Sequence, residues 1–421
     1  MTDKMKMTDK MRKSLSMGVV LMFAGALLFS CSNEDVPAVV ENGTIKLEMP
    51  LNLTNVELTD FEGTATNVQS GVVTKLPVPV KSGDDYVITV PTLAEGRYNI
   101  YAKGSIMFVK DGVAGSTDFE VTSNDVSLSE TSSSTKVVIN SFKAEGGFVL
   151  SEICTTGTLT PQNKNYNYDA YFVITNNSDV VLYADSIVLI ESQYQSGSSG
   201  NNPWSPDVRP YAIPAGAVFM IPGNGKDHPV KPGESIVIAN NAMDHRTVNE
   251  NSYDLTGADF EVYLDNGGSS MDTDYETPNL EYIWCYTATI WMPSVQQNRS
   301  YAIARMKEDK ETFLANHSET PTYVAASSGK LMESKQVQIP NEWVLDAVNL
   351  GTEDDFGWYV ISEKLDAGWV AGRANSKDTT QRGTSIKRKK DSNGKYIDTN
   401  NSTNDMEARQ VPSMKVVYEE D

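Results

Sequence analysis

Histidine and cysteine are scarce in this 421-residue chain, with three of each. Three cysteines cannot build a disulfide-dense scaffold. The three histidines, His228, His245 and His317, stand far apart, and no His-Glu-x-x-His or Cys-x-x-Cys pair occurs. A Gly-x-Ser-x-Gly elbow is also missing, which removes the usual serine-hydrolase arrangement. Long apolar runs are lacking too. The longest, Met17 to Phe29, is too short to span a bilayer, which takes about 20 residues. Basic residues are outnumbered, 35 against 56 acidic, for a formal charge of −21. A chain this acidic repels phosphate backbones, so nucleic acid is not an expected partner.

What the start of the chain does contain is a charged stretch, then that apolar run, then Ser30 and Cys31. This order is that of a secretory signal peptide over residues 1–30. The Leu-Leu-Phe-Ser-Cys end resembles a bacterial lipobox, although Phe29 is bulkier than usual there. The resemblance implies lipid attachment at Cys31 and a membrane anchor. Residues 31–42 then form a tether, and its Ser-Asn-Glu-Asp opening resembles the surface-export signal of Bacteroidetes lipoproteins. The expected location is the outer membrane, lipid-anchored and facing the exterior. Removing the first 30 residues, with five basic and two acidic side chains, takes the net charge to −24.

Helical periodicity is almost absent. Short runs alternating every second residue, broken by Gly, Pro, Asn and Asp, predict an all-β protein. In Thr44–Met49 the apolar residues alternate, and Tyr86, Ile88 and Val90 share one face of the next strand. The phrase from Tyr86 to Ala102, two strands around Pro91-x-Leu93-x-x-Gly96, resembles immunoglobulin-like and transthyretin-like surface modules. Residues 43–145 are therefore expected to form an N-terminal Ig/transthyretin-like β-sandwich. Ser123–Ser134, rich in Ser and Thr, reads as a surface loop.

Residues 146–421 are expected to form a larger lamin-tail-like β-sandwich with long insertions. The resemblance rests on Ser151-Glu152-Ile153, then Asp169, Tyr171, Ile174, Asn176 and Ser178, then Leu182 and Leu189. Val173 departs from the glutamate often found there. Two phrases, from Ile213 and from Val230, repeat the turn-then-strand wording of such domains. Segments from Asn240, Ser252, Thr277, Ile339 and Asp398 are similar to an uncharacterised family of Bacteroidetes outer-membrane lipoproteins. That likeness implies a partnership with a TonB-dependent type of outer-membrane transporter. One helix is expected, from Ala304, inside a 298–352 region read as an insertion.

The candidate binding residues are aromatic. Trp204 lies in a polar loop, and Tyr166 and Tyr168 lie in another, where exposure suits a ligand platform. His245 beside Asp244 is a candidate ligand-binding residue, able to hold a metal or act as a base, or else a polar residue bonded within a turn. Trp284, Trp291 and Trp343 read as core. Asp265, Asp272, Asp274 and Glu276 are candidate oxygen ligands for calcium, or else a solvated acidic loop without EF-hand spacing. Cys154 and Cys285 sit in β-like runs, as a disulfide or as two separate buried thiols. Thr384–Lys390 is the one basic cluster, either an anion grip or a strand with Ile386 inward. No cofactor is implied.

These observations point away from an enzyme. The expected function is a non-catalytic, surface-exposed ligand-binding protein or accessory subunit of an outer-membrane uptake system, with the ligand itself unread. The alternatives are a structural or adhesive surface protein and an unfamiliar hydrolase.

Overall fold

The computed structural model describes residues 38–41, 43–129, 133–139, 147–197, 206–265, 271–325 and 328–415. Cys31, residues 1–30 with the expected signal peptide, and Trp204 lie outside the described residues. Ala38–Asp421 form one compact unit. The protein is an all-β sandwich fold built on two hydrophobic cores.

The first core belongs to residues 38–139. One sheet orders the strands Ser134–Val138, Thr44–Glu48, Asp85–Thr89 and Val80–Ser82. The facing sheet orders Val73–Leu76, Thr54–Asn67, Gly96–Lys110 and Val113–Leu128. Two-residue alternation decides what is buried. Ile45, Leu47, Tyr86, Ile88, Val90, Tyr98 and Ile100 all point inward. Asp111 and Gly112 both adopt positive φ at the tip of the long hairpin, as a two-residue turn of matching twist requires. The expected Ser/Thr loop is shorter than predicted, because residues 123–128 continue that hairpin's second strand. There Ser123 pairs with Ile100, and Leu128 with Gly96. Backbone pairing to a long partner outweighs the loop-forming tendency of serine and threonine.

The second core lies between two larger sheets. One orders Phe260–Glu261, Ser235–Ala239, Tyr171–Asn176, Phe148–Cys154, Ser385–Arg388 and Met406–Gln410. In the other, Ala212–Met220 and Ile187–Gln195 are central, flanked by Arg299–Arg305, Val344–Val348, Gln336–Pro340 and Glu281–Cys285. Phe148, Phe172, Leu189, Phe219, Trp291 and Tyr301 fill the space between. Smaller clusters cover the outer faces: Cys154, Tyr171 and Tyr253 on the first sheet, Val218, Phe313 and Trp343 on the second. Strands buried on both faces are apolar without alternation, as in Ile187–Ile190.

The 298–352 region is not a separate insertion. Its strands Arg299–Arg305 and Val344–Val348 pair within the central sheet. The helix is Lys310–His317, capped by Asp309, whose carboxylate accepts from the Thr312 backbone N–H. It starts later than expected because Ala304 and Arg305 are held as strand against Val188 and Ile187.

Ion pairs join the two cores. Lys110 Nζ lies 2.6 Å from Asp398 Oδ2, Arg305 Nε 2.6 Å from Asp111, and Lys364 Nζ 2.7 Å from Glu48. Val113, just past the hairpin tip, packs against the second core.

Candidate functional site

The site is built from three segments beside the first sheet of the larger sandwich. The strand Asn165–Tyr166 pairs with Thr158–Leu159 in a short ladder. Behind it, Asp169 is buried and accepts from Thr158 Oγ1 at 2.6 Å and from the Ser252 hydroxyl, while Asn249 donates to Thr158 Oγ1 at 2.7 Å. Burial raises the Asp169 carboxyl above the usual range, although both hydroxyl donors oppose the rise. This network fixes the back of the loop that carries the tyrosines.

Tyr166 and His245 form the hinge of the site. The phenol oxygen lies 2.7 Å from Nδ1, and Nε2 lies 2.9 Å from the Asn241 carbonyl oxygen. A carbonyl can only accept, so Nε2 carries the proton and Nδ1 accepts from the tyrosine hydroxyl. His245 is fully buried, and burial depresses its basicity, which keeps it neutral. Burial pushes the half-buried Tyr166 phenol up to about 12, with Asp169, Tyr275 and Tyr168 adding to the rise. Both ring nitrogens are thus engaged, and neither partner is a poised base.

A second carboxylate sets the opposite wall. Glu261 is buried and accepts from the Tyr275 backbone N–H at 2.7 Å and from the Ala242 N–H at 3.1 Å. One side chain therefore holds the segments that carry Tyr275 and Met243. The Tyr275 hydroxyl donates to the Met243 sulfur at 3.1 Å. Between these walls opens a cleft of about 330 Å³, lined by Tyr166, Tyr168, Met243, Met271, Asp272 and Tyr275, together with Asn241, Thr273 and Ile290. The rings of Tyr166 and Tyr168 sit 5.6 Å apart and tilt by 60°, so they form a corner rather than a flat shelf. Tyr168 is 46% exposed and Met271 78%, which leaves the cleft open to solvent.

Tyr166, Tyr168 and His245 are thus brought together as a group. The structure also adds Met243 and Tyr275, which the sequence reading passed over. Their signals were faint: a methionine before Asp244-His245, and one tyrosine inside an acidic run.

The four acidic candidates do not converge. Asp272 joins the cleft wall and accepts from the Leu264 N–H at 3.3 Å. Asp274 accepts from Asn279 Nδ2 at 2.9 Å, and Glu276 is exposed. Among the described residues no three His, Cys, Asp or Glu side chains gather as a metal ion would need. The backbone of this segment is spent on Glu261 and Thr289, which spreads the carboxylates apart.

Cys154 and Cys285 are free and buried in different clusters, not joined as a disulfide. Trp291 and Trp343 are core residues, and Trp284 packs against the core half-buried. Trp358 lies under the Arg209 guanidinium at 5.1 Å, and Trp369 stacks on Phe356 at 4.1 Å. His317 lies between Phe313 and Trp343, and His228 meets Phe260 edge-on. In the basic cluster Ile386 points inward, but Arg388 is buried against Asp346 rather than offered to an anion. The Asp398–Asp405 segment bonds its own backbone, with Asn401 capping the short helix Ser402–Asp405.

The fold and this cleft define an all-β sandwich protein with an open aromatic pocket. Residues 231–413 match the model of a family described as a protein of unknown function, DUF4876. A DUF4876 family protein from Bacteroides thetaiotaomicron VPI-5482, known from a crystal structure, is similar to this chain. The two are 20% identical with a TM-score of 0.54, over 88% of this chain and 96% of the other. At that identity the likeness speaks for the fold. No curated protein matches the chain.

Proposed function

We propose that this chain is a lipid-anchored binding protein of the outer membrane, facing the exterior, that captures a small ligand in the tyrosine cleft without chemically changing it. The observation that carries the reading is the cleft itself. Tyr166, Tyr168 and Tyr275 offer large, rigid contact surfaces at one open site. Two buried carboxylates, Asp169 and Glu261, hold its walls before any ligand arrives.

The chemistry at hand favours binding over catalysis. His245 is saturated at both nitrogens, and the Tyr166 hydroxyl is spent on it. A general base must reach the proton it takes, and His245 is wholly covered. The anchor follows from the Leu-Leu-Phe-Ser-Cys sequence, with Cys31 as the lipid site. Several acyl chains on one cysteine give stable attachment, at about 0.8 kcal/mol per buried CH₂. We read the two sandwiches as an Ig/transthyretin-like spacer and a lamin-tail-like binding domain. The motif residues Ser151, Glu152 and Ile153 fall on a central strand of the second, consistent with that reading. An outer-membrane transporter is the natural recipient of the captured ligand.

A screen of small polar and amphipathic compounds tests the reading, using the mature lipoprotein in detergent and following its intrinsic fluorescence. Saturable binding that Tyr168→Ala weakens about tenfold or more, the loss of one well-packed aromatic contact, is the expected result. Binding indifferent to Tyr168→Ala would remove the cleft from the function. Turnover of any ligand would make the protein an enzyme. In parallel, affinity purification from solubilised outer membrane should return a β-barrel transporter as partner.

A further inference from the structure

The geometry points to a small organic cation, a ligand bearing a methylated ammonium group, as what the tyrosine cleft accepts; this rests on the binding reading above and names its ligand class.

Three features of the cleft lead there. The first is shape. The Tyr166 and Tyr168 rings meet at 60° with centroids 5.6 Å apart. A sugar ring stacks on one flat aromatic face, whereas a rounded ammonium head fits a corner of ring faces. Each face carries the negative pole of its quadrupole and attracts a cation within about 6 Å of its centre. Met243, Met271 and Ile290 add soft apolar surface suited to N-methyl groups.

The second feature is charge. Among the described residues, one carboxylate, Asp272, stands in the lining and no lysine or arginine does. Asp272 and Asp274 also act on Glu261 behind the wall, each making its ionisation harder after the larger effect of burial. Asp274 does the same to Asp272. A cation in the cleft relieves this repulsion, while an anion adds to it. The formal charge of −21 draws cations to the surface from a distance.

The third is hydrogen bonding. The Tyr166 hydroxyl is engaged by His245, the Tyr275 hydroxyl by the Met243 sulfur, and the Asn241 amide by the Tyr168 carbonyl oxygen at 3.1 Å. A saccharide needs several ready donors and acceptors at its hydroxyls, and these three groups of the lining are already engaged within the protein. Bare metal ions are disfavoured by the spread of the carboxylates.

The test compares choline with 3,3-dimethyl-1-butanol, which has the same shape without the charge, and with methyl glucoside. Calorimetric titration of the mature lipoprotein in detergent reads all three. Choline is expected to bind at least about tenfold tighter than the neutral alcohol, within the range of a desolvated cation–aromatic contact. Asp272→Asn should lower choline affinity several-fold and leave the alcohol unchanged, with thermal unfolding confirming that the variant is folded. Equal binding of choline and the alcohol overturns the cation assignment. So does binding of the glucoside alone, yet that result leaves the cleft as the ligand site. No binding of any of the three also overturns it, and the broader screen with Tyr168→Ala then decides separately whether the cleft binds anything.

Discussion

Lys110 and Asp398 are 288 positions apart in sequence, yet their side chains meet at 2.6 Å with almost no solvent access. The ammonium comes from the end of the long hairpin strand in the first sandwich. The carboxylate comes from the turn-rich segment near the end of the second. Arg388, itself buried, faces the same carboxylate at 3.8 Å and also binds Asp346. Stranding one charge of a buried ion pair costs about 3–5 kcal/mol, and losing Lys110 costs part of that because Arg388 still faces Asp398. Lys110→Met is therefore expected to lower the urea midpoint of the mature protein clearly. An unchanged midpoint would mean that the sandwiches are joined by other contacts.

The Tyr166–His245 bond yields a second expectation. Tyr166→Phe keeps the ring but leaves the buried Nδ1 without its donor. An unsatisfied buried acceptor costs about 1–3 kcal/mol. Stability should fall by that amount in chemical denaturation, and the ring of Tyr168 should lose its fixed neighbour. Ligand affinity then drops even though no ligand contact has been deleted. If stability were untouched, the hydrogen bond would not be what holds the loop.

Acid should loosen the 223–228 loop. Asp185 is buried, which by itself raises a carboxyl, but the N–H groups of Asp227 at 2.9 Å, His228 at 3.0 Å and Gly225 at 3.1 Å outweigh that and hold it below the usual range. A carboxyl depressed by folding contributes stability above its unfolded value of about 3.9 and loses it as pH falls through the folded value. Asp185→Asn is thus expected to be destabilising at pH 7, with the difference from wild type shrinking as pH falls below the unfolded value of about 3.9 and on through the depressed folded value. Unfolding curves for both proteins across that range check the sign. A difference that persists undiminished in acid would assign the effect to shape instead of charge.

Both internal thiols should resist modification. Burial raises the Cys285 thiol to about 12 and Cys154 well above its ordinary value, and only a thiolate reacts. A disulfide-exchange reagent is expected to leave the native protein untouched and to titrate two thiols once it is unfolded without reductant, provided that Cys31 is held as a thioether. Fewer than two would bring back the disulfide.

Local pattern made much of the architecture readable. The alternation in Thr44–Met49 and Tyr86–Val90 names Ile45, Leu47, Tyr86 and Ile88 as core, because a pleated strand sends neighbours to opposite faces whatever surrounds it. The same logic fails in Ile187–Ile190, where both faces are covered and the pattern vanishes. The sequence by itself determined the β class, the inward residues of the first sandwich and the two tyrosines of the Tyr166–Tyr168 loop. The proposed anchor rests on sequence alone, on the likeness of residues 17–31 to a signal peptide ending in a lipobox. Tertiary structure decided what that loop faces. His245 lies 79 positions from Tyr166, and Glu261 links Ala242 to Tyr275 across the wall. Which carboxylates end as clamps and which as cleft lining was likewise settled there, and so was Lys110 as a buried lock. Periodicity reports the face a residue occupies, but it holds no record of which distant segment packs against that face. That choice comes from burying surface and satisfying polar groups over the whole chain at once.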